Sequence, residues 1–232
     1  MTKVAIEITG LRKEYGRVVA VNGIDLSIAP GAFVGLVGHN GAGKTTTIRM
    51  LTGQLSPTAG SVSVDGTDVV ADPTGARTKL GVVPEHPTLY DYLSAREMIE
   101  FVAEIRGCGD VDWALGVAGL GHAADRLIRE YSQGMRRKTA LACALVSRPP
   151  VLVLDEALNG LDPASADRVV GVLSELRQDG ATVLLSTHIL DTLERVADRV
   201  VLMENGSIVV DGEMDALDHV RQLLRTAAGS GA

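Results

Sequence analysis

Three stretches of this chain carry residue types whose spacing could do chemistry. Gly38-His39-Asn40-Gly41-Ala42-Gly43-Lys44-Thr45 fits the pattern G-x-x-x-x-G-K-[ST], between the apolar run Phe33 to Val37 and a helical pattern. Glycines in that arrangement let successive backbone N–H groups wrap a phosphate, and the following helix N-terminus adds its positive dipole. Lys44 then reaches the β- and γ-phosphates of a nucleotide, and the Thr45 hydroxyl reaches Mg2+. The second stretch, Val151-Leu152-Val153-Leu154-Asp155-Glu156, is an apolar strand that delivers two acids at its C-terminal end, where ligands bind in open parallel sheets. Asp155 would hold Mg2+ through water, and Glu156 would orient or deprotonate an attacking water. An acidic pair alone is as consistent with a solvated helix cap; joined to the phosphate loop it points to phosphoryl chemistry. In the third, Tyr131-Ser132-Gln133-Gly134-Met135, a helix opens where Ser132 Oγ and backbone N–H groups could meet a phosphate, although alone it is an N-cap serine and a glycine.

The elements that must position these residues follow from periodicity. Strands are expected at Val4 to Ile8, Val18 to Val21, Ile24 to Ile28 and Phe33 to Val37, with Asn22-Gly23 as a turn. A helix from Gly43 to about Leu51 stops at Gly53 and Pro57, and short strands follow at Ser61 to Val64 and Leu80 to Val83. Between Glu85 and Pro150 the pattern turns helical. Ser94 and Glu97 make a capping box, with Met98, Phe101, Val102 and Ile105 as one helix face. A second helix starts near Asp110 or Asp112, and a third runs from about Gly134 to Val146, with Met135, Leu141, Ala142 and Leu145 inward. Strands return at Val151 to Leu154, Thr182 to Leu185 and Arg199 to Leu202. Asp162-Pro163 opens a helix over Ala164 to Arg177. A hairpin at Glu204-Asn205-Gly206-Ser207, a helix around Leu217 to Leu224 and a tail over Gly229 to Ala232 complete the chain. This alternation predicts an α/β protein, a mostly parallel sheet covered by helices with a helical insertion.

Composition narrows the partners. The 232 residues, 46% hydrophobic, can fill one large core. A formal net charge of -7 argues against nucleic acid or anionic lipid, and two Phe, four Tyr and one Trp are too few for a base-stacking platform. Cys108 and Cys143 stand outside any metal or redox motif, so reduced thiols are expected. The N-terminus has a strand pattern in place of a signal peptide's apolar stretch, and no apolar run approaches 18 residues. A cytoplasmic location is therefore expected, with any membrane crossing left to another chain.

Taken in order, the motifs resemble the nucleotide-binding subunits of ABC transporters over essentially the whole chain, with wording closest to bacterial export systems. The resemblance implies a P-loop NTPase core with N-terminal antiparallel strands: one domain over 1–232, with a core over about 1–85 and 150–226, a helical subdomain over about 86–149 and a tail over 227–232. It implies ATP and Mg2+ as ligands. Gly38 to Thr45 matches Walker A, and Asp155-Glu156 matches the end of Walker B. Tyr131 to Met135 looks like the signature, Leu158 to Asp162 contains the D-loop, and His188 looks like the switch histidine. Glu156 and His188 would then be catalytic. Nucleotide contacts would come from Tyr15, stacking on adenine; from Gly38, His39, Asn40, Gly41, Ala42, Gly43, Lys44, Thr45 and Thr46; and from Ser132, Gly134 and Asp162. Thr45, Glu85 and Asp155 would hold the metal. Three departures stand out: Glu85 replaces the usual Gln of the Q-loop, Gln133 and Met135 alter the signature, and Ala157-Leu158 replaces Pro-Thr. The implied mechanism is ATP sandwiched between two chains head to tail, at the cytoplasmic face of a membrane, with permease subunits as partners near His86 to Tyr90. A soluble non-transport ABC ATPase is the alternative, though neither a repeat nor heptads support it. A P-loop small-molecule kinase would leave Tyr131 to Met135 and His188 unexplained.

Overall fold

The structure, a computed structural model, describes residues 4–229. Strands β1 (Ile6–Tyr15) and β2 (Val18–Ile28) form an antiparallel hairpin. Their alternate apolar side chains, Ile6, Ile8, Leu26 and Ile28 among them, are buried on one face. The chain turns at Gly16, which takes φ 60. Asn22-Gly23 is therefore not the turn: Leu11 pairs with Ile24 and Arg12 with Asn22, so Gly23 is a bulge inside β2. The Asn22 N–H leaves the ladder and donates to Gly206 O at 2.8 Å, which is why a turn-like dipeptide sits mid-strand.

The chain continues through β3 (Phe33–Val37), α1 (Lys44–Leu51), β4 (Ala59–Val64), β5 (Thr67–Asp68), a short α2 (Pro73–Thr78) and β6 (Leu80–Val83). Three helices follow, α3 (Ala95–Arg106), α4 (Val111–Ala118) and α5 (Gln133–Leu145). Next come β7 (Val151–Asp155), α6 (Pro163–Gln178), β8 (Thr182–Ser186), α7 (Leu190–Val196), β9 (Arg199–Glu204), β10 (Ser207–Glu213) and α8 (Leu217–Gly229). The first sheet is antiparallel, in the order β2-β1-β4-β5; the second runs β10-β9-β3-β8-β7-β6, all parallel except the β9–β10 hairpin. That hairpin turns on Asn205 and Gly206, both at positive φ, as the sequence predicts.

The parallel sheet is dry on both faces, which is why β3, β7 and β8 read as unbroken apolar runs. Leu152, Leu154, Val183 and Leu185 pack toward a core shared with α5 and α6, where Leu141, Leu145 and Leu173 are fully buried. Val151, Val153 and Leu184 face the other way, against α1 and the antiparallel sheet. Each leucine or valine so enclosed contributes about 1.5–3 kcal/mol relative to exposure. A smaller core joins Ile99 of α3, Ala114 and Ala118 of α4, and Ala142 of α5, so α5 belongs to two cores at once.

The Ser94–Glu97 capping box is present at the start of α3. The expected apolar face is not. Met98 is buried and Val102 half-buried, but Phe101 and Ile105 are 39% and 69% exposed, and the buried side runs through Ala95, Met98 and Ile99. Apolar residues surround more of this helix than its neighbours cover. Helix α8 runs past Leu224 to Gly229, and 230–232 of the expected tail lie outside the described residues.

Candidate functional site

The Gly38–Gly43 loop leaves the C-terminal end of β3, the middle of the parallel strands, and hands over to α1. Gly38 at φ 151 and Gly43 at φ 103 have to be glycine. A Cβ on the first would overlap Met203 O, and on the second it would lie 2.7 Å from Ala20 O. Lys44 is 7% exposed and curls back over the loop, donating from Nζ to Gly38 O at 2.6 Å and His39 O at 3.3 Å. Its ammonium lies 3.9 Å from Glu156 Oε1.

Glu156 leaves the end of β7 at φ 49, in the left-handed region, a strain of order 1–3 kcal/mol for a non-glycine residue. The backbone around it is fixed, since its N–H donates to Ser186 O at 3.0 Å beside β8. Glu156 Oε2 accepts from Asn159 Nδ2 at 2.8 Å and from His188 Nδ1 at 3.0 Å. The Glu156 side chain is 10% exposed and the His188 side chain 64% exposed, so the pair spans the wall and the mouth of the cleft. That cleft, about 810 Å³, is lined by all of Gly38 to Thr46, by Glu85, Glu156, Asn159 and His188, and by Val18, Val19 and Ala20.

Asp155 sits deeper, 2% exposed, with Oδ1 lacking any hydrogen-bond partner. Burial raises its carboxyl above the ordinary carboxylate range; nearby hydroxyls of Thr45 and Ser186 oppose that, and the charges of Glu85 and Glu156 add to it. Asp155, Thr45 and Glu85 line one smaller cavity of about 320 Å³ beside the main cleft. An orphaned buried carboxylate oxygen beside a hydroxyl and a second carboxylate suits a hard cation such as Mg2+. Among the described residues no three His, Cys, Asp or Glu side chains could hold a metal unaided, so such an ion needs oxygens from phosphate or water.

Other expected residues lie outside this cleft. Tyr15, at the end of β1, is 49% exposed under Lys13 Nζ, 5.3 Å from its ring centre, and the wall is made instead by Val18, Val19 and Ala20. Ser132 caps α5, accepting from the Met135 N–H at 3.3 Å. Asp162 caps α6, where the Ser165 hydroxyl and N–H hold its carboxyl down to about 2, and Lys138 Nζ lies 3.5 Å away. Gly134 abuts Gly160 O, so the N-terminus of α5 rests on the segment that follows Glu156. Asn159 was not foreseen. It lies in the Leu158 to Asp162 stretch that contains the D-loop, but no motif assigns its side chain to Glu156, and that hydrogen bond forms where Glu156 turns back at positive φ.

The ABC transporter family matches residues 21–159, the span from β2 to Asn159 that builds most of the cleft. This chain belongs to that family. The ABC cassette is 37% identical over 217 residues to the daunorubicin/doxorubicin resistance ATP-binding protein DrrA of Streptomyces peucetius, covering 90% of this chain and 65% of that relative's length. It is 35% identical over 216 residues to the bacitracin transport ATP-binding protein BcrA of Enterococcus faecalis, covering 91% and 70%. The lantibiotic transport ATP-binding protein SrtF of Streptococcus pyogenes is 31% identical over 220 residues, covering 94% and 95%. Among solved structures, the ATP-binding subunit of an ABC transporter superposes with TM-score 0.86 at 31% identity, covering 98% of this chain and 95% of that one. A dimeric cassette bound to ADP and Pi shares the fold, with TM-score 0.84 at 24% identity and coverage of 90% and 98%. The expected family and the α/β cassette fold are thus borne out.

Proposed function

We propose that this cassette binds and hydrolyses ATP to drive a membrane exporter, working as a head-to-tail dimer at the cytoplasmic face. One observation carries the reading: Lys44 and the buried Glu156 face each other across a single cleft, with Glu156 Oε2 aimed by Asn159 and His188. Incoming phosphates would replace the loop carbonyls as partners of Lys44, and the N–H groups of the loop and of α1 would cradle them. Glu156 would accept a proton from water lined up with the γ-phosphate, and His188 would hold the carboxylate and meet the phosphate from the mouth of the cleft. Asp155, Thr45 and Glu85 would hold Mg2+, which supplies positive charge against the phosphate oxygens.

Ser132, Gly134 and Asp162 lie outside this chain's own cleft, which supports a second subunit, a copy or a close relative, contributing them across the interface. Tyr15 would border the adenine end beside Val18 and Val19. Export is supported by the roles of the relatives, in daunorubicin resistance, bacitracin transport and lantibiotic transport. No helix among the described residues is long and apolar enough to cross a membrane, so permease subunits would supply the path. Their cytoplasmic segments would dock where Tyr90, Tyr92, Phe101 and Ile105 stand exposed beside a groove lined by Pro87, Leu89 and Met98.

The test is turnover. Glu156→Gln should lower ATP hydrolysis by about 100-fold or more while ATP still binds, because a general base is lost and the phosphate cradle is not. Hydrolysis at the unsubstituted rate would refute the reading.

A further inference from the structure

Glu156 is held more tightly than a residue at the end of a strand needs to be. Its φ of 49 turns the chain out of β7, and the backbone N–H of Asn159 donates to Glu156 O at 3.1 Å, closing a four-residue turn. The side chain of Asn159 then doubles the link, donating from Nδ2 to Glu156 Oε2 at 2.8 Å. Asn159 Oδ1 is buried and has no partner, so its bond to Glu156 is the one hydrogen bond among the described residues that orients this amide. The same segment runs on to Gly160, against the N-terminus of α5, and to Asp162, 3.5 Å from Lys138 Nζ. Asn159 lines the cleft between the base and that surface.

We infer that Asn159 is a positioning residue for hydrolysis: its Nδ2–H fixes the rotamer of the Glu156 carboxylate toward the γ-phosphate end of the cleft, a task that His188 does not perform alone. His188 is mostly exposed and shares the same oxygen, whereas Asn159 is half-buried and anchored through its backbone to the residue it holds. A carboxylate with one oxygen pinned by two donors presents the other, Oε1, to the cleft where Lys44 lies. Freed of Asn159, the side chain would regain rotamers that point the base away from its water, and loss of alignment reduces rate without reducing binding. The inference rests on the proposal that Glu156 is the base.

Asn159→Ala removes the donor, and Asn159→Asp keeps the shape while exchanging the donor for a carboxylate that repels Glu156. Both should lower kcat by about 10- to 100-fold, with KM for MgATP changed by less than about twofold, because the phosphate loop is untouched. In the Glu156→Gln background, Asn159→Ala should add less than about a twofold further loss in single-turnover rate, as expected of a residue that acts through its partner. A KM rise with kcat unchanged, full activity in Asn159→Asp, or an undiminished loss in the Glu156→Gln background would each overturn the inference. A Glu156→Gln variant that still turns over would instead overturn the assignment of the base, which separates the two failures.

Discussion

Glu85 and Asp155 bring two carboxylates to one small cavity, and Thr45 adds a hydroxyl. Because Glu85 is among the charges that raise the Asp155 carboxyl, replacing it with the neutral amide of the same shape should ease repulsion while keeping an oxygen for the metal. Glu85→Gln is expected to hold steady-state ATPase activity within about threefold of the parent, or to raise it. A loss beyond tenfold in the same assay would mean that the negative charge has its own task. At this scale the sequence announces residues whose chemistry travels with a motif: Lys44, Thr45, Asp155 and Glu156 all reach the cleft or the cavity beside it. It does not announce Asn159, which matters through a hydrogen bond set by the left-handed turn at Glu156, nor Val18 and Val19, whose position follows from the hairpin bending at Gly16.

Elements defined by a single buried face, or by burial on both, were legible from periodicity, as β3, β7, β8 and α6 show. Those where two signals compete were not. The Asn22-Gly23 pair has turn chemistry, but the long register of β1 with β2 absorbs it as a bulge. Helix α3 has apolar residues on more than one side, and periodicity cannot tell which side α4 and α5 will cover. This yields a contrast testable by chemical denaturation. Ile99, fully buried, should cost about 2–5 kcal/mol when cut to Ala, whereas Ile105→Ala should stay within about 0.5 kcal/mol. Equal destabilisation by both would contradict the packing of α3. If the exposed side of α3 serves a permease, Ile105→Ala should instead weaken co-purification with the membrane subunit.

At the scale of the whole molecule, the proposed head-to-tail dimer would join two separate surfaces of this chain. One surface holds the phosphate loop, the acids and His188; Ser132 and Gly134, at the N-terminus of α5, lie outside the lining of that cleft and would meet a nucleotide held by a second subunit. A net charge of -7 is no obstacle to phosphate binding, because Lys44, the loop N–H groups and a metal ion would neutralise the phosphates locally. Which copy meets which could not be read from one chain's pattern, since periodicity describes a chain's own core and not the face it shows a partner. A base-deficient cassette that cannot hydrolyse ATP should therefore close around it and stay closed. The decisive measurement is the mass of Glu156→Gln by light scattering, with and without ATP. The head-to-tail account predicts a monomer of about 24.3 kDa that doubles in mass when ATP is added and reverts when it is removed. A variant that binds ATP and remains at the monomer mass at every protein concentration tested, alone and with its permease partner's companion cassette, would contradict it.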